Sequence, residues 1–405
     1  MKNKTKYVIL IGDGMGDYPL QELNGLTPLE KANTPTLDTI SAKGELSLVK
    51  TVPDGYPPGS DVANLSLLGY DPQKYYTGRA PLEAASMGIE LGADEIAYRC
   101  NLVTIESTNN DKVTMLDYSA EHITTAEAKV LIEALDDKLS NARIRFYPGV
   151  SYRHLMVLKG DAPAIQTVPP HDYTGQDVSV HWQTYQNTFL ADIMSHAHAI
   201  LKGHTVNAVR KEKGLRPANS IWLWGEGKSP SMPTLKSLYN VTGGLISAVD
   251  LLKGIGVYAG LEIINVAGAT GYLDTNYAGK AEAALQVLEK QDFVLVHVEA
   301  PDEASHHGLI KDKIQAIEDF DQKIVKPIWE GLAGKNDHFR LVVAMDHFTP
   351  ISIQTHTNNP VPVAIYDSEN NNSGCGLAYN EKNAQKTGIT YETGELFLKK
   401  VLEKM

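Results

Sequence analysis

Six short runs of the chain are apolar at most positions and are closed by turn-forming or charged residues: residues 7–11 (YVILI), 220–224 (SIWLW), 261–266 (LEIINV), 293–298 (FVLVHV), 340–345 (RLVVAM) and 361–366 (VPVAIY). A strand wetted on one face alternates polar with apolar residues. Runs without that alternation predict strands buried on both faces, as in a parallel sheet covered by helices. Helix-like spacing over residues 245–252, 278–289, 311–329 and 393–404 supplies the covering layers. Strand and helix in alternation predict an α/β body.

Residues 96–175 have a different rhythm. Strands are expected at 99–105, 112–116, 144–147 and 154–158, with one helix at 125–139 opened by a threonine cap. That β-β-α-β-β order predicts a small α+β domain inserted into the main body. The expected organisation is therefore a discontinuous catalytic domain, 1–95 and 176–405, around a cap domain at 96–175. Residues 93–96 and 171–177 are the expected movable joints, the second rich in turn formers, and a helical stretch at 180–202 leads back to the body. Residues 370–376 (NNNSGCG) read as an exposed loop.

Composition narrows the classes of function. A chain of 405 residues is long enough for two or three domains. With 37 Lys+Arg against 49 Asp+Glu it carries a net charge of -12, which argues against a nucleic-acid or anionic-membrane partner. Cys100 and Cys375 stand far apart without a CxxC, so neither a disulfide framework nor a cysteine zinc site is indicated. The apolar run after the N-terminal lysines is too short for a signal-peptide core. No stretch approaches the roughly 20 apolar residues of a membrane span. A cytoplasmic location is expected. Six of the 13 histidines, His297, His306, His307, His338, His347 and His356, fall in one late segment.

The chemistry gathers where strands give way to loops. Asp13 follows the first strand in GDG, at the strand end where open α/β sheets place their sites. Asp302 and His306, four apart in PDEASHHG, share one face of a helical turn. Asp346 and His347 end the strand RLVVAM, and His356 follows in THTNNP; neighbours on a strand face opposite ways, so this pair acts together only if the backbone turns there. Taken singly, each residue suits a helix cap or a structural role. Together they supply three carboxylates and three imidazoles, a donor set suited to Mn²⁺ or Zn²⁺, and enough ligands for two neighbouring ions. Ser60, in PPGSDVANLSLL, stands at the start of a helix-like run. Its hydroxyl has too high a pKa to be a nucleophile near neutral pH without help, and an adjacent metal ion would supply it.

The ordered set GDGMGD, PGSDVANLSLLGYDP, YYTGRAPLEA, GATGYLDTNYAGKA, EAPDEASHHG and MDHFTP with HTNNPVPV closely resembles the archaeal-type, cofactor-independent (2,3-bisphosphoglycerate-independent) phosphoglycerate mutases of the alkaline phosphatase superfamily. The resemblance spans nearly the whole chain. It implies an alkaline-phosphatase-like α/β sandwich with an inserted cap. It implies two divalent ions, Mn²⁺ foremost, with Zn²⁺, Co²⁺ or Mg²⁺ as alternatives. Asp302, His306 and His356 would hold one, and Asp13, Asp346, His347 and Ser60 the other. It implies an enzyme of glycolysis and gluconeogenesis, in which Ser60 takes the phosphoryl group of 3-phosphoglycerate and returns it to the 2-hydroxyl. Lys280 would approach that group, and Arg79, Arg153 and His154 would bind substrate charge. The same machinery would serve a homoserine kinase-like phosphotransferase or a phosphatase, because only the acceptor contacts differ. The sequence leaves that choice, and the oligomeric state, open.

Overall fold

The computed structural model describes residues 5–107, 112–335, 337–370 and 374–402; parts of the expected loop at 370–376 and of the last helix lie outside the described residues. It divides into two compact units, Met1–Tyr76 with Ser231–Met405, and Thr77–Pro230. In chain order the strands are β1 (Lys6–Gly12), β2 (Glu45–Val49), β3 (Glu95–Ser107), β4 (Val113–Asp117), β5 (Ile144–Val150), β6 (Arg153–Lys159) and β7 (Ser220–Lys228). They continue with β8 (Gly243–Ile246), β9 (Glu262–Ile263), β10 (Phe293–Val298), β11 (Phe339–Ala344), β12 (Val361–Asp367) and β13 (Thr390–Tyr391).

The first unit is built on a sheet of order β13-β2-β12-β11-β1-β10-β8-β9. Its centre is parallel: β1 pairs with β11 on one side and β10 on the other, Ile9 opposite both Val342 and Leu295. β10 and β11 are buried along their whole length, and β1 from Tyr7 to Gly12. Being parallel neighbours, the three strands present their C-terminal ends along one edge of the sheet, and Asp13, Asp302 and Asp346 lie in the segments that leave it.

Three expectations for this sheet are corrected. The 361–366 run forms β12, but antiparallel to both β11 and β2, because the segment between β11 and β12 is a loop, not a crossover helix. The 245–252 run is not one helix. Its first residues extend β8, parallel to β10, and the helix begins only at Asp250, running to Tyr258. Of the 261–266 run only β9 pairs, as an edge strand of two residues. The 311–329 segment is helical as expected but carries a π turn at Asp321–Val325 between the Ile310–Phe320 and Lys326–Ala333 helices. Pro327 brings no N–H to a helical ladder, and a π turn is one way to absorb the missing donor.

The second unit is wider than the expected 96–175, and the reason is β7. The 220–224 run belongs not to the parallel sheet but to β7, which pairs antiparallel with β3 from Ile96 to Val103. β3 also pairs with β4 and β6, and β6 with β5, so the unit holds a five-stranded antiparallel sheet. The stretch expected to lead back at 180–202 is two helices, Ser179–Gln186 and Phe189–Lys202, whose apolar residues join Trp222, Leu223 and the strands in the unit's own core. The Thr125–Leu139 helix adds Ala128, Leu131, Ile132 and Leu135, at helical spacing, behind a capping box of Thr124 and Glu127. Neither expected joint is a linker. Glu95 already pairs with Lys159, and residues 171–178 are tied to β4 through bonds such as the Val178 amide to the Val113 carbonyl.

Candidate active site

Ser60 is the first residue of the Ser60–Leu67 helix; Gly59 occupies the cap position and no side chain caps the helix. The serine hydroxyl instead lies 3.1 Å from His347 Nε2. The Asn64 amide, one turn later, donates to the Ser60 carbonyl and to an Asp346 carboxylate oxygen, both at 2.8 Å. β11 ends at Ala344, so Asp346 and His347 occupy a turn and their side chains are free to converge. That turn is pinned by the Gly14 and His347 amides, which donate to Asp346 Oδ1 at 3.1 and 2.9 Å. Thr51 donates to the Asp346 carbonyl at 2.6 Å.

Two groups of donors result, and His347 belongs to both. Asp13, Asp346 and His347 form one; Asp302, His347 and His356 form the other, each with its ligand atoms within 4.8 Å of one another. His347 Nε2 stands 3.4 Å from Asp13 and 3.6 Å from Asp346. The Ala300–His306 helix brings His306 Nε2 to 3.1 Å from Asp302 and 2.9 Å from His356 Nε2. His356 lies 3.5 Å from Asp302. Thr349 donates to the Asp302 carboxylate, and the His306 Nδ1 lies 3.0 Å from the Gln354 carbonyl oxygen.

Electrostatics and hydrogen bonding both suit this donor set to divalent ions. Burial, reinforced by Asp346 and Asp302, pushes the Asp13 carboxyl well above its ordinary range. Burial also opposes charge on Asp302, but hydrogen bonds from His306 and His356 outweigh it and hold that carboxyl well below the usual value. For His306 burial disfavours the cation, yet Asp302 prevails and raises it to about 9. Protons stand here where cations would displace them. Asp13 Oδ1, buried, has no hydrogen-bond partner, a lone pair left for an ion.

Sequence reasoning missed the side chains that aim the ligands. His297 Nε2 lies 2.9 Å from Asp13 Oδ2, while its Nδ1 faces Ser247 at 3.3 Å. Its signal was present, as the one polar residue in a strand otherwise apolar and buried. Asn64 and Thr349 carried no such signal. Lys280 is 0% exposed and donates to the His297 carbonyl at 3.1 Å. Burial lowers its ammonium to about 8 against the pull of Glu299.

The remaining expected residues belong to the second unit. Arg79 opens the Arg79–Ser86 helix, and Arg153 is exposed at the start of β6, over the Tyr152 ring at 5.8 Å. Arg99, not anticipated, lies over the Trp224 ring at 4.1 Å and pairs with Glu83 at 3.0 Å. Burial, with the nearby charges of Arg79 and Arg153, disfavours its guanidinium, against the attraction of Glu83. His154 is 1% exposed and accepts the Gly149 amide on Nδ1, its buried Nε2 has no hydrogen-bond partner, and burial drives its pKa down to about 3.

The family model for 2,3-bisphosphoglycerate-independent phosphoglycerate mutase matches residues 41–207. The protein of that name from Methanosarcina barkeri (strain Fusaro / DSM 804) is 52% identical over 386 residues, 95% of this chain and 96% of its own. Among solved structures, the PH0037 protein from Pyrococcus horikoshii covers 99% of both chains with a TM-score of 0.82 at 26% identity. The cofactor-independent phosphoglycerate mutase from Thermoplasma acidophilum DSM 1728 covers 97% of this chain and 98% of its own, with a TM-score of 0.63 at 25% identity. Identity of that extent across nearly the whole length shows that the chain belongs to the 2,3-bisphosphoglycerate-independent phosphoglycerate mutases.

Proposed function

We propose that the chain interconverts 3-phosphoglycerate and 2-phosphoglycerate by way of phospho-Ser60, at a centre of two divalent ions, Mn²⁺ foremost. Asp302, His306 and His356 hold one ion, and Asp13, Asp346, His347 and Ser60 the other. The observation that carries this reading is the setting of Ser60: a helix-start hydroxyl hydrogen-bonded, at 3.1 Å, to an imidazole that also faces two buried carboxylates. When bound, the ions supply the positive charge that lowers the serine pKa and offsets the phosphoryl oxygens.

The chain's own residues position and retain. Asn64 ties the nucleophile's backbone to Asp346, and His297 fixes Asp13, so the reacting centre is preorganised. Ser60 Oγ bonds to phosphorus as the bond to the 3-oxygen of glycerate breaks; the glycerate stays, and its 2-oxygen takes the group back. Retaining glycerate requires that water be kept from the phosphoserine, and Arg79, Arg153 and His154 are the contacts for substrate charge. Lys280 adds a cation for the phosphoryl group. The reading includes a part in glycolysis and gluconeogenesis and a cytoplasmic location; among the described residues, no helix is long and apolar enough to cross a membrane.

The test is Ser60→Ala, assayed for 3-phosphoglycerate conversion with Mn²⁺ present. Conversion is expected to disappear, and retained activity overturns the proposal. In the parent enzyme, phosphate release or ATP-dependent phosphorylation of homoserine faster than the mutase reaction would overturn the substrate assignment.

A further inference from the structure

Away from the ligands, one buried cation joins the segments that carry them. Lys313 lies in the Ile310–Phe320 helix and is 0% exposed. Its ammonium donates to the Gly16 carbonyl at 3.1 Å, the Thr349 carbonyl at 3.0 Å and an Asp17 carboxylate oxygen at 2.9 Å. Those three bonds use every donor an ammonium has. Asp17 in turn accepts the Tyr18 amide at 2.8 Å and the Ile351 amide at 3.2 Å, and its own amide donates to Glu381 at 3.2 Å. The Thr349 amide donates to the Gly16 carbonyl at 3.1 Å.

The chain positions of these groups give the cluster its meaning. Gly16 and Asp17 end the turn that Asp13 begins. Thr349 and Ile351 end the turn that begins with Asp346 and His347, and the Thr349 hydroxyl donates to Asp302. Lys313 itself follows the helix of Asp302 and His306. One ammonium thus ties the first two segments at a single point, and the Thr349 hydroxyl extends the link to Asp302. Packing does not call for a charge there, since a buried ion pair is often matched in stability by apolar residues of similar volume. What a lysine adds is a fixed separation between two turns.

We propose that Lys313, with Asp17, is a positioning residue of the metal centre, setting the distance between the turn that carries Asp13 and the turn that carries Asp346 and His347. This rests on the two-ion reading given above. The experiment is a titration of metal-free protein with Co²⁺, followed by the visible absorption of the bound ion, on the parent, Lys313→Met and the double variant Lys313→Met/Asp17→Asn, with thermal melting recorded for each. Both variants are expected to bind at least one ion about 10–100-fold more weakly with an altered spectrum, while the double variant, which buries no unpaired charge, melts closer to the parent. Parent-like spectra and affinities within about twofold of the parent in a folded variant would overturn the proposal and leave Lys313 a staple of the fold. Should Lys313→Met fail to fold, the double variant decides alone. A parent that binds no Co²⁺ overturns the two-ion reading, and the proposal with it, whereas a parent that binds while the variants match it overturns only the role of Lys313.

Discussion

Asp346 shows how much of the chemistry depends on side chains that touch no substrate. One carboxylate oxygen takes the amides of Gly14 and His347, and the other takes Asn64, which also holds the Ser60 carbonyl. The proposed ligand and the proposed nucleophile are thereby set by the same few bonds. His297 does the same for Asp13, and Lys280 backs His297 through its carbonyl. The lysine gives a pH prediction. Burial lowers its ammonium to about 8, so the cation is present below that pH and lost above it. Mutase activity is expected to fall as pH rises through about 8, and Lys280→Arg, cationic throughout, to lose that limb whatever its absolute rate. A pH profile of kcat/KM checks this; an unchanged alkaline limb in Lys280→Arg would remove Lys280 from the chemistry.

At the scale of elements, the nucleophile helix is held from behind. Gly394 opens the Gly394–Leu402 helix, and a Cβ there would stand 1.8 Å from the Ser66 carbonyl oxygen, inside the Ser60–Leu67 helix. Backbone cannot yield as a flexible side chain can. Gly394→Ala is expected to cost about 1–3 kcal/mol of stability and, by shifting the Ser60 helix, to lower kcat; urea unfolding and steady-state kinetics measure both. This contact joins residues far apart in sequence, and nothing in either segment announces it. The strand ends that carry Asp13, Asp302 and Asp346 were legible, because full burial on both faces writes itself as an unbroken apolar run. The same signal misplaced β7, which is equally apolar but buried between the helices of the other unit. β2, short and half polar at its start, had no run to betray it. The candidate ligands stand out by residue type and position; the groups that hold them, Asn64 and Thr349, are ordinary polar residues whose contacts arise only from packing.

For the whole molecule, the pattern is three buried carboxylates brought together in one unit of an already acidic chain. Without cations, burial first and the neighbouring carboxylates of Asp346 and Asp302 second disfavour charge on Asp13, and its pKa is raised. Chelation is therefore expected to lower the melting temperature, and readdition of Mn²⁺ at about 100 times its dissociation constant to restore about 2.7 kcal/mol per ion, read by thermal melting at fixed pH. A melting temperature indifferent to Mn²⁺ would count against the centre. The net charge of -12 acquires a different sense if some of those carboxylates hold cations: with two divalent ions bound, the site would be locally positive toward a phosphorylated substrate. The central claim is that the phosphoryl group passes through Ser60 and back to the same glycerate. It is tested most directly by acid-quenching the Mn²⁺-loaded enzyme during turnover of 3-phosphoglycerate and mapping its peptides by mass spectrometry. The account predicts one phosphoryl group on the Ser60 peptide at early times; full turnover with Ser60 unmodified at every quench time would contradict it.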